Sequence, residues 1–430
     1  MTLSLSNILR VKMLDLFRGT NQLKTYNEYL KNQFRFTRGE IELYQEKKFR
    51  EIFNFHYHNN PTYRNLVDQS GFDSTFPFNT QSIPLLTKAF FKQNQKQHVV
   101  KKEIIKTKRS GGSTGIPMTY YLSKESFESV WPALWRAFDI YDIQPCDRTM
   151  LIAGPSLFSN RSMKRKIYDY INRFTVVSAF DLSDATLEKA YQNIRTKKIE
   201  VLYGYTSSIL IFLQFLKRHH YRVNLKVIFT TSETFIPSVR TLSKECCQCD
   251  VIDTYGANDG GVQAFECPSH KGYHLNFERC MVEIVDGEIV VTDLLNRASP
   301  FIRYRLGDYS SGHEIIKDKC ECGRTLFRIP DISGRVNEYI RDVDGKKIHP
   351  GFFRRLFSKE EHLLQFQVIQ ESNKLYINII HDNFFNDDYF ISKYTSLIER
   401  KINMTFEFEF NQPVKKSRNM KTPVFWKHEE

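Results

Sequence analysis

Beyond residue 120 the chain alternates between short apolar runs and longer amphipathic stretches. Thr149–Ala153, Thr175–Val177, Val201–Tyr203, Val227–Thr230 and Val251–Asp253 are brief and apolar. Around and between them lie Lys124–Ile140, Met163–Asn172, Asp184 to about Lys198, and Ile209–Leu216, with apolar residues at helical spacing. Short buried strands alternating with helices predict a mainly parallel sheet covered by helices. Residues 38–58 are expected to form a further helix, ending before Asn59-Asn60-Pro61. Near residue 280 the texture changes. Met281–Val285 and Glu288–Thr292 flank Asp286-Gly287, a sequence for a tight β-hairpin. After Gly334-Arg335, strands are expected at Glu338–Val343, Leu364–Gln370, Lys374–Ile380 and Met404–Phe410, with a helix over Asp387–Lys401. That is a small α+β module of about 95 residues, large enough for its own core. At the N-terminus, Leu3, Leu5, Ile8, Leu9, Met13, Leu16 and Phe17 make one apolar helix face with Arg10, Lys12 and Arg18 around it. Packing of that face onto the protein's own core is the expectation, and docking on a membrane surface the alternative.

Composition narrows the class. The 430 residues are 41% hydrophobic, with 35 Phe and 22 Tyr, so the chain is globular rather than disordered. No apolar run reaches the length of a membrane span, and charges at Arg10, Lys12 and Asp15 break any signal-peptide core. A cytoplasmic location is expected on those grounds. The net charge of +13 has no zinc-finger, RNA-recognition or helix-turn-helix pattern beside it, so nucleic acid is not the expected partner. The basic run Lys101, Lys102, Lys106, Lys108, Arg109 leads instead into Ser110-Gly111-Gly112-Ser113-Thr114-Gly115-Ile116-Pro117. Such a loop bends tightly and offers N–H groups and hydroxyls to phosphate oxygens. It is not a Walker loop, because Ile116-Pro117 replaces the Lys-Ser/Thr that would follow the last glycine.

Four motifs follow in order: Thr231-Ser232-Glu233; Tyr255-Gly256-Ala257-Asn258-Asp259-Gly260-Gly261; Ile302-Arg303-Tyr304-Arg305-Leu306-Gly307-Asp308; and Ile332-Ser333-Gly334-Arg335-Val336-Asn337-Glu338. Three of them end or closely follow predicted strands, the edge at which α/β sheets bind ligands. Cys320-Glu321-Cys322 is a tight thiol pair, and Cys267, His270 and His274 supply a third thiol and two imidazoles, so a Cys₃His zinc set is available. Given the expected cytoplasmic location, the eight cysteines are not expected to form a disulfide framework, and Cys246, Cys247 and Cys249 have no nearby histidine.

The set and order of these motifs resemble the adenylate-forming, or acyl-activating, enzyme superfamily. Its phenylacetate–coenzyme A ligase-like branch, which includes capsule-biosynthesis relatives, is the nearest pattern. Asn60-Pro61-Thr62-Tyr63-Arg64, Ile83-Pro84-Leu85-Leu86-Thr87-Lys88 and Cys320-Glu321-Cys322-Gly323-Arg324 fit that branch too, and the likeness spans roughly residues 40–425. The resemblance implies an α/β fold with a large N-terminal ATP- and acid-binding domain (1–335) of mixed sheets, flanking helices and a β subdomain. A small mobile α+β lid domain (336–430) would follow. It implies that Ser110, Gly111, Gly112, Ser113, Thr114 and Gly115 hold the β- and γ-phosphates. Ser232, Glu233, Tyr255 and Gly256 would line the nucleotide site, with Tyr255 stacking on adenine or packing against the acid. Asp308 would bind the ribose hydroxyls, Arg335 the nucleotide, and Asn337 would serve as hinge. Asp259 stands where the family has glutamate and would bind Mg²⁺. Lys421 would be the catalytic lysine, with Met420 in place of the usual glycine and Lys415 and Lys416 close by. Cys267, His274, Cys320 and Cys322 would hold a structural zinc, His274 being preferred over His270 because Gly272-Tyr273-His274 matches the family's Gly-x-His.

The activity implied is an ATP-dependent ligation. A carboxylic acid becomes an acyl-adenylate with release of pyrophosphate, and the acyl group passes to coenzyme A. The alternatives are transfer to an amine or hydroxyl of a sugar or glycan in surface-polysaccharide biosynthesis, or a non-catalytic nucleotide-binding protein of the same fold.

Overall fold

A computed structural model describes residues 3–72, 80–94, 97–110, 118–154, 162–335, 339–348, 350–357, 360, 362–417 and 421–427. Most of the glycine loop, from Gly111 to Pro117, and the hinge residue Asn337 therefore lie outside the described residues. The chain forms two compact units. One comprises Met1–Asp147, Arg161–Phe174 and Ile252–Ile332, the other Arg148–Asn160, Thr175–Val251 and Ser333–Glu430.

The first unit opens with helices Leu5–Arg18, Gln22–Arg35, Arg38–Asn59 and Pro61–Gln69. The third begins with a capping box. Thr37 Oγ1 accepts from the Glu40 N–H, while the Glu40 carboxylate accepts from the Thr37 N–H at 2.7 Å. Pro61 at the start of the fourth helix uses a position where a missing N–H costs nothing. The helix expected over Lys124–Ile140 is divided into Lys124–Glu128 and Val130–Phe138. Pro132 explains the break, since it has no N–H to give the carbonyl four residues back, at Glu128. Arg136 is wholly buried and held by Glu278 Oε1 and Oε2 (2.6 and 3.1 Å) and by the Tyr29 carbonyl (2.7 Å). A buried guanidinium persists only with partners of this kind.

Two antiparallel arrays complete this unit. Strands Asp250–Ala257, Val262–Phe265, Tyr273–Leu275 and Arg328–Ile329 lie side by side in that order. Cys280–Val285 and Glu288–Asp293 form the expected hairpin, with Val285 opposite Glu288, and Tyr304–Tyr309 joins its far side. Asp286 and Gly287 both have positive φ, as a two-residue hairpin turn requires.

The N-terminal helix departs from expectation. Its inward residues are Asn7, Val11 and Leu14, while Leu5, Leu9, Met13, Leu16 and Phe17 face outward. Asn7 is the reason. Its amide donates to Asp147 Oδ1 (2.8 Å) and Gln144 Oε1 (3.2 Å), which anchors the side carrying Asn7, Val11 and Leu14 inward.

In the second unit, Val227–Thr231, Val201–Tyr205, Thr149–Ala153 and Phe174–Ser178 lie in that order, the first three joined in parallel. Strands Thr149–Ala153, Val201–Tyr205 and Val227–Thr231 are buried throughout, which is why they read as continuous apolar runs rather than alternating ones. Helices Asp184–Thr196, Thr206–Arg218 and Ser238–Cys247 cover them, with Leu202, Ile228, Leu210, Leu213, Val239 and Leu242 in one apolar cluster. The C-terminal part has its own four-stranded sheet, ordered Thr405–Phe410, Lys374–His381, Leu363–Glu371, Phe425–Lys427. Helix Asp387–Glu399 packs Phe390, Tyr394 and Ile398 into a core with Val368, Leu375, Ile377 and Ile379. Of the strand expected at Glu338–Val343, the described residues form only Ile340–Arg341, paired with Lys347–Ile348. No helix among the described residues is long and apolar enough to cross a membrane.

Candidate active site

Strand ends in the second unit gather one group of the expected residues. Ser232 and Glu233 follow strand Val227–Thr231, and Ser232 takes a left-handed φ of 69° as the chain turns away. Helix Thr206–Arg218 starts directly after strand Val201–Tyr205, so its free N–H groups point toward the same edge. Glu233 occupies that helix end. It accepts from the Ser207 N–H at 2.8 Å and the Ser207 hydroxyl at 3.0 Å. Its Oε1 also accepts from the backbone N–H of Thr422 at 2.8 Å. Burial pushes the Glu233 carboxyl above its usual range, against the pull of these donors and of Lys421. Lys421 lies next to that anchor, its ammonium 5.4 Å from the centre of the Tyr205 ring. Its own N–H reaches Ser417 Oγ at 3.2 Å. Residues 203–210 are expected from sequence near the acid pocket and Thr422 beside the catalytic lysine, but no individual role is assigned to Tyr205, Ser207 or Thr422. The run Thr206-Ser207-Ser208 at a strand-to-helix junction is the signal that could have found Ser207.

The first unit assembles another group. The Tyr255 hydroxyl donates to Asp308 Oδ2 at 2.6 Å, so two residues 53 apart meet. Asp308 is buried at the end of strand Tyr304–Tyr309. A tyrosine tied to this carboxylate is oriented by it. Asp259 sits half-buried in the turn between Asp250–Ala257 and Val262–Phe265, and its charge is one cause of the raised Tyr120 pKa. Gly260 and Gly261 make that turn with φ of +111° and +75°, and a Cβ on Gly260 would strike Val291. Ser110 closes a hairpin formed by Lys106–Arg109 and Thr119–Leu122. Its N–H donates to the Met118 carbonyl (2.8 Å) and its Oγ accepts from the Met118 N–H (2.9 Å). The glycine loop thus springs from a clamped stem. Behind it, burial and the Arg18 and Arg279 guanidinium groups bring the Lys108 pKa down to about 8.

Arginines of the third motif do structural work. Arg303 binds Glu283 (3.1 and 3.2 Å) and the carbonyls of Gln81 and Ile83 (2.7 Å each). Arg335 forms the two-residue strand Gly334–Arg335 and is half-buried.

Cys267, His274, Cys320 and Cys322 converge, their ligand atoms all within 4.8 Å of one another. Cys267 Sγ lies 3.7 Å from Cys320 Sγ, and Cys322 Sγ lies 3.4 Å from His274 Nε2. A tetrahedral zinc with Zn–S of about 2.3 Å and Zn–N of about 2.0 Å has S–S edges of roughly 3.8 Å and S–N edges of roughly 3.5 Å. The donor set and spacing fit that ion. Burial lowers the His274 pKa, which favours the neutral imidazole that a metal needs. His270 turns instead to Glu266, at 3.3 Å.

The comparisons with known proteins agree with this architecture. No protein-family model matches the chain. Over 339 residues it is 21% identical to a phenylacetate–coenzyme A ligase of Thermus thermophilus, covering 73% of this chain and 74% of that one. Over 141 residues it is 28% identical to an indoleacetate–lysine synthetase of Pseudomonas savastanoi, a match that spans 31% of this chain and about a third (34%) of the synthetase. The crystal structure of a 2-hydroxyisobutyryl-CoA ligase in the postadenylation state superposes with a TM-score of 0.71 at 16% identity, covering 93% of this chain and 91% of that one. The protein therefore has the fold of the adenylate-forming ligases. Among curated proteins it is similar to a phenylacetate–coenzyme A ligase, in line with the branch that its motifs resemble.

Proposed function

We propose that the protein is an AMP-forming acid ligase. A substrate carboxylate oxygen attacks the α-phosphorus of ATP, the bond to pyrophosphate breaks, and an acyl-adenylate forms. The coenzyme A thiol then attacks the acyl carbon, AMP departs with the electrons of the acyl–oxygen bond, and the thiol proton passes to solvent.

The reading rests on Lys421. Its ammonium lies 5.4 Å from the Tyr205 ring at a strand end, and the next peptide is fastened to Glu233. Strand ends are where α/β sheets bind ligands, and an ammonium there can stabilise charge that builds at the α-phosphate. Asp308, hydrogen-bonded to the Tyr255 hydroxyl, has the bidentate oxygens suited to ribose hydroxyls. Asp259, in its glycine turn, offers a hard oxygen that could hold Mg²⁺, whose charge would screen the phosphates. Residues 336–430 serve in this reading as a small domain that turns about residues 335–337 between the two half-reactions.

A second acceptor is an amine, favoured by the likeness to an indoleacetate–lysine synthetase. ATP–pyrophosphate exchange over a panel of aryl, fatty and amino acids tests the first half-reaction. Thiol consumption against amide formation then separates the acceptors. Lys421→Ala is expected to lower exchange by about 100- to 1,000-fold while leaving ATP affinity nearly unchanged. Tight ATP binding with no exchange for any acid would overturn the ligase reading, and full exchange in Lys421→Ala would remove the lysine from it.

A further inference from the structure

Two helices of the first unit turn their apolar sides to water. On Leu5–Arg18, the side opposite Asn7, Val11 and Leu14 carries Leu5, Leu9, Met13 and Leu16, about a turn apart, with Phe17 beside them. Leu16 is 88% exposed and Leu5 73%. On Met163–Ile171, Met163, Ile167 and Tyr170 make a second stripe, with Tyr170 76% exposed. The stripes border each other at Arg10, whose Nη1 donates to the Tyr170 and Ile171 carbonyls at 3.1 and 3.0 Å. Apolar side chains gathered in this way on neighbouring helices mark an interaction surface rather than scattered exposure.

Charge selects the occupant. Lys12 interrupts the first stripe, Lys164 and Lys166 flank the second, and all three are exposed. Each helix has a single acid. Asp15 is engaged by Thr20 Oγ1 (2.9 Å) and the Gln22 N–H (2.7 Å), and Asp169 pairs with Arg165 at 2.8 Å. The face is therefore apolar, aromatic at Phe17 and Tyr170, and cationic. A second copy docked by two-fold symmetry would set these lysines against one another. An anionic lipid headgroup layer meets both properties, taking the apolar side chains among its acyl chains and the ammonium groups at its phosphates. We propose that this face docks the protein on an anionic phospholipid bilayer as a peripheral membrane protein.

Sedimentation of the full chain with vesicles tests it. The protein is expected to pellet with phosphatidylcholine vesicles containing phosphatidylglycerol, to stay in solution with phosphatidylcholine alone, and to be released by salt. Leu9→Asp with Leu16→Asp should abolish pelleting. Lys12→Glu, Lys164→Glu and Lys166→Glu together should lower the partition coefficient at least about tenfold. Pyrophosphate exchange and circular dichroism should be unchanged in both. Equal partition to the two vesicle types, or wild-type pelleting of Leu9→Asp/Leu16→Asp, overturns the proposal. So does failure to pellet combined with light scattering in which the parent is a dimer and that variant a monomer.

Discussion

His56 is a residue whose state depends on where it is buried. Its Nε2–H donates to the Asn296 carbonyl at 2.9 Å, and burial holds its pKa down to about 4 from 6.5. The unfolded chain takes up this proton near pH 6.5 and the native chain near pH 4. Stability from the neutral ring is therefore complete above pH 6.5 and drains as pH falls toward 4, by up to about 3 kcal/mol. Urea unfolding across that window should give His56→Gln a flatter stability profile than the parent; parallel profiles would mean the proton is not excluded. Nothing in the local sequence Phe55-His56-Tyr57 announces this. By contrast, Tyr255, Asp259 and Asp308 could be named as candidates because each sits in a motif. The motif named Glu233 but could not name Ser207 and Thr422, because a hydrogen-bond partner is set by the fold rather than by neighbours in the chain.

Among elements, the buried strands were the most legible, since continuous apolar runs have few other uses. What pattern alone could not supply was contact. Gly204, in strand Val201–Tyr205, pairs with Ile152, and a Cβ there would run into the Ile152 carbonyl. Gly204→Ala must spread these strands. It should lower unfolding stability by about 2 kcal/mol or more and reduce exchange activity through the displaced Tyr205 and Ser207; an unshifted melting curve would contradict the close approach. The N-terminal helix failed for the complementary reason. A helix moment reports where apolar residues cluster, not on which side the protein lies. Asn7 settles that through partners 137 and 140 residues away. The cysteine cluster was readable as a donor set, while its closure depends on Tyr273–Leu275 pairing with Arg328–Ile329, His274 opposite Arg328. If this cluster holds zinc, purified protein should contain about one zinc per chain, and a strong chelator should lower its melting temperature by several degrees. Absence of the metal, with Cys267, Cys320 and Cys322 all titratable, would remove the ion from the account.

At the scale of the molecule, chain order and spatial order part company. Each compact unit is built from three separate stretches of sequence, so the seams fall inside the α/β region as well as between Ile332 and Ser333. Periodicity sees each strand and helix but carries no sign of which distant stretch it joins. The motif order conveyed more, because a shared fold had already solved that assembly. The net charge of +13 decided little when taken as a total. Its distribution is informative: three lysines border the exposed apolar face.

The bond from Thr422 to Glu233 makes the position of Lys421 a matter of linkage. One carboxylate steadies the start of helix Thr206–Arg218 and also retains a peptide 189 residues downstream. A ligand group that draws Glu233 away from Thr422 must loosen the lysine, and a departing lysine must strengthen that ligand's hold by the same free energy. Ionisation of Glu233 enters the same cycle, since the charged carboxylate is the stronger acceptor. Retention of the C-terminal segment and the proton on Glu233 are thus two readings of one equilibrium, and shifting either shifts the other.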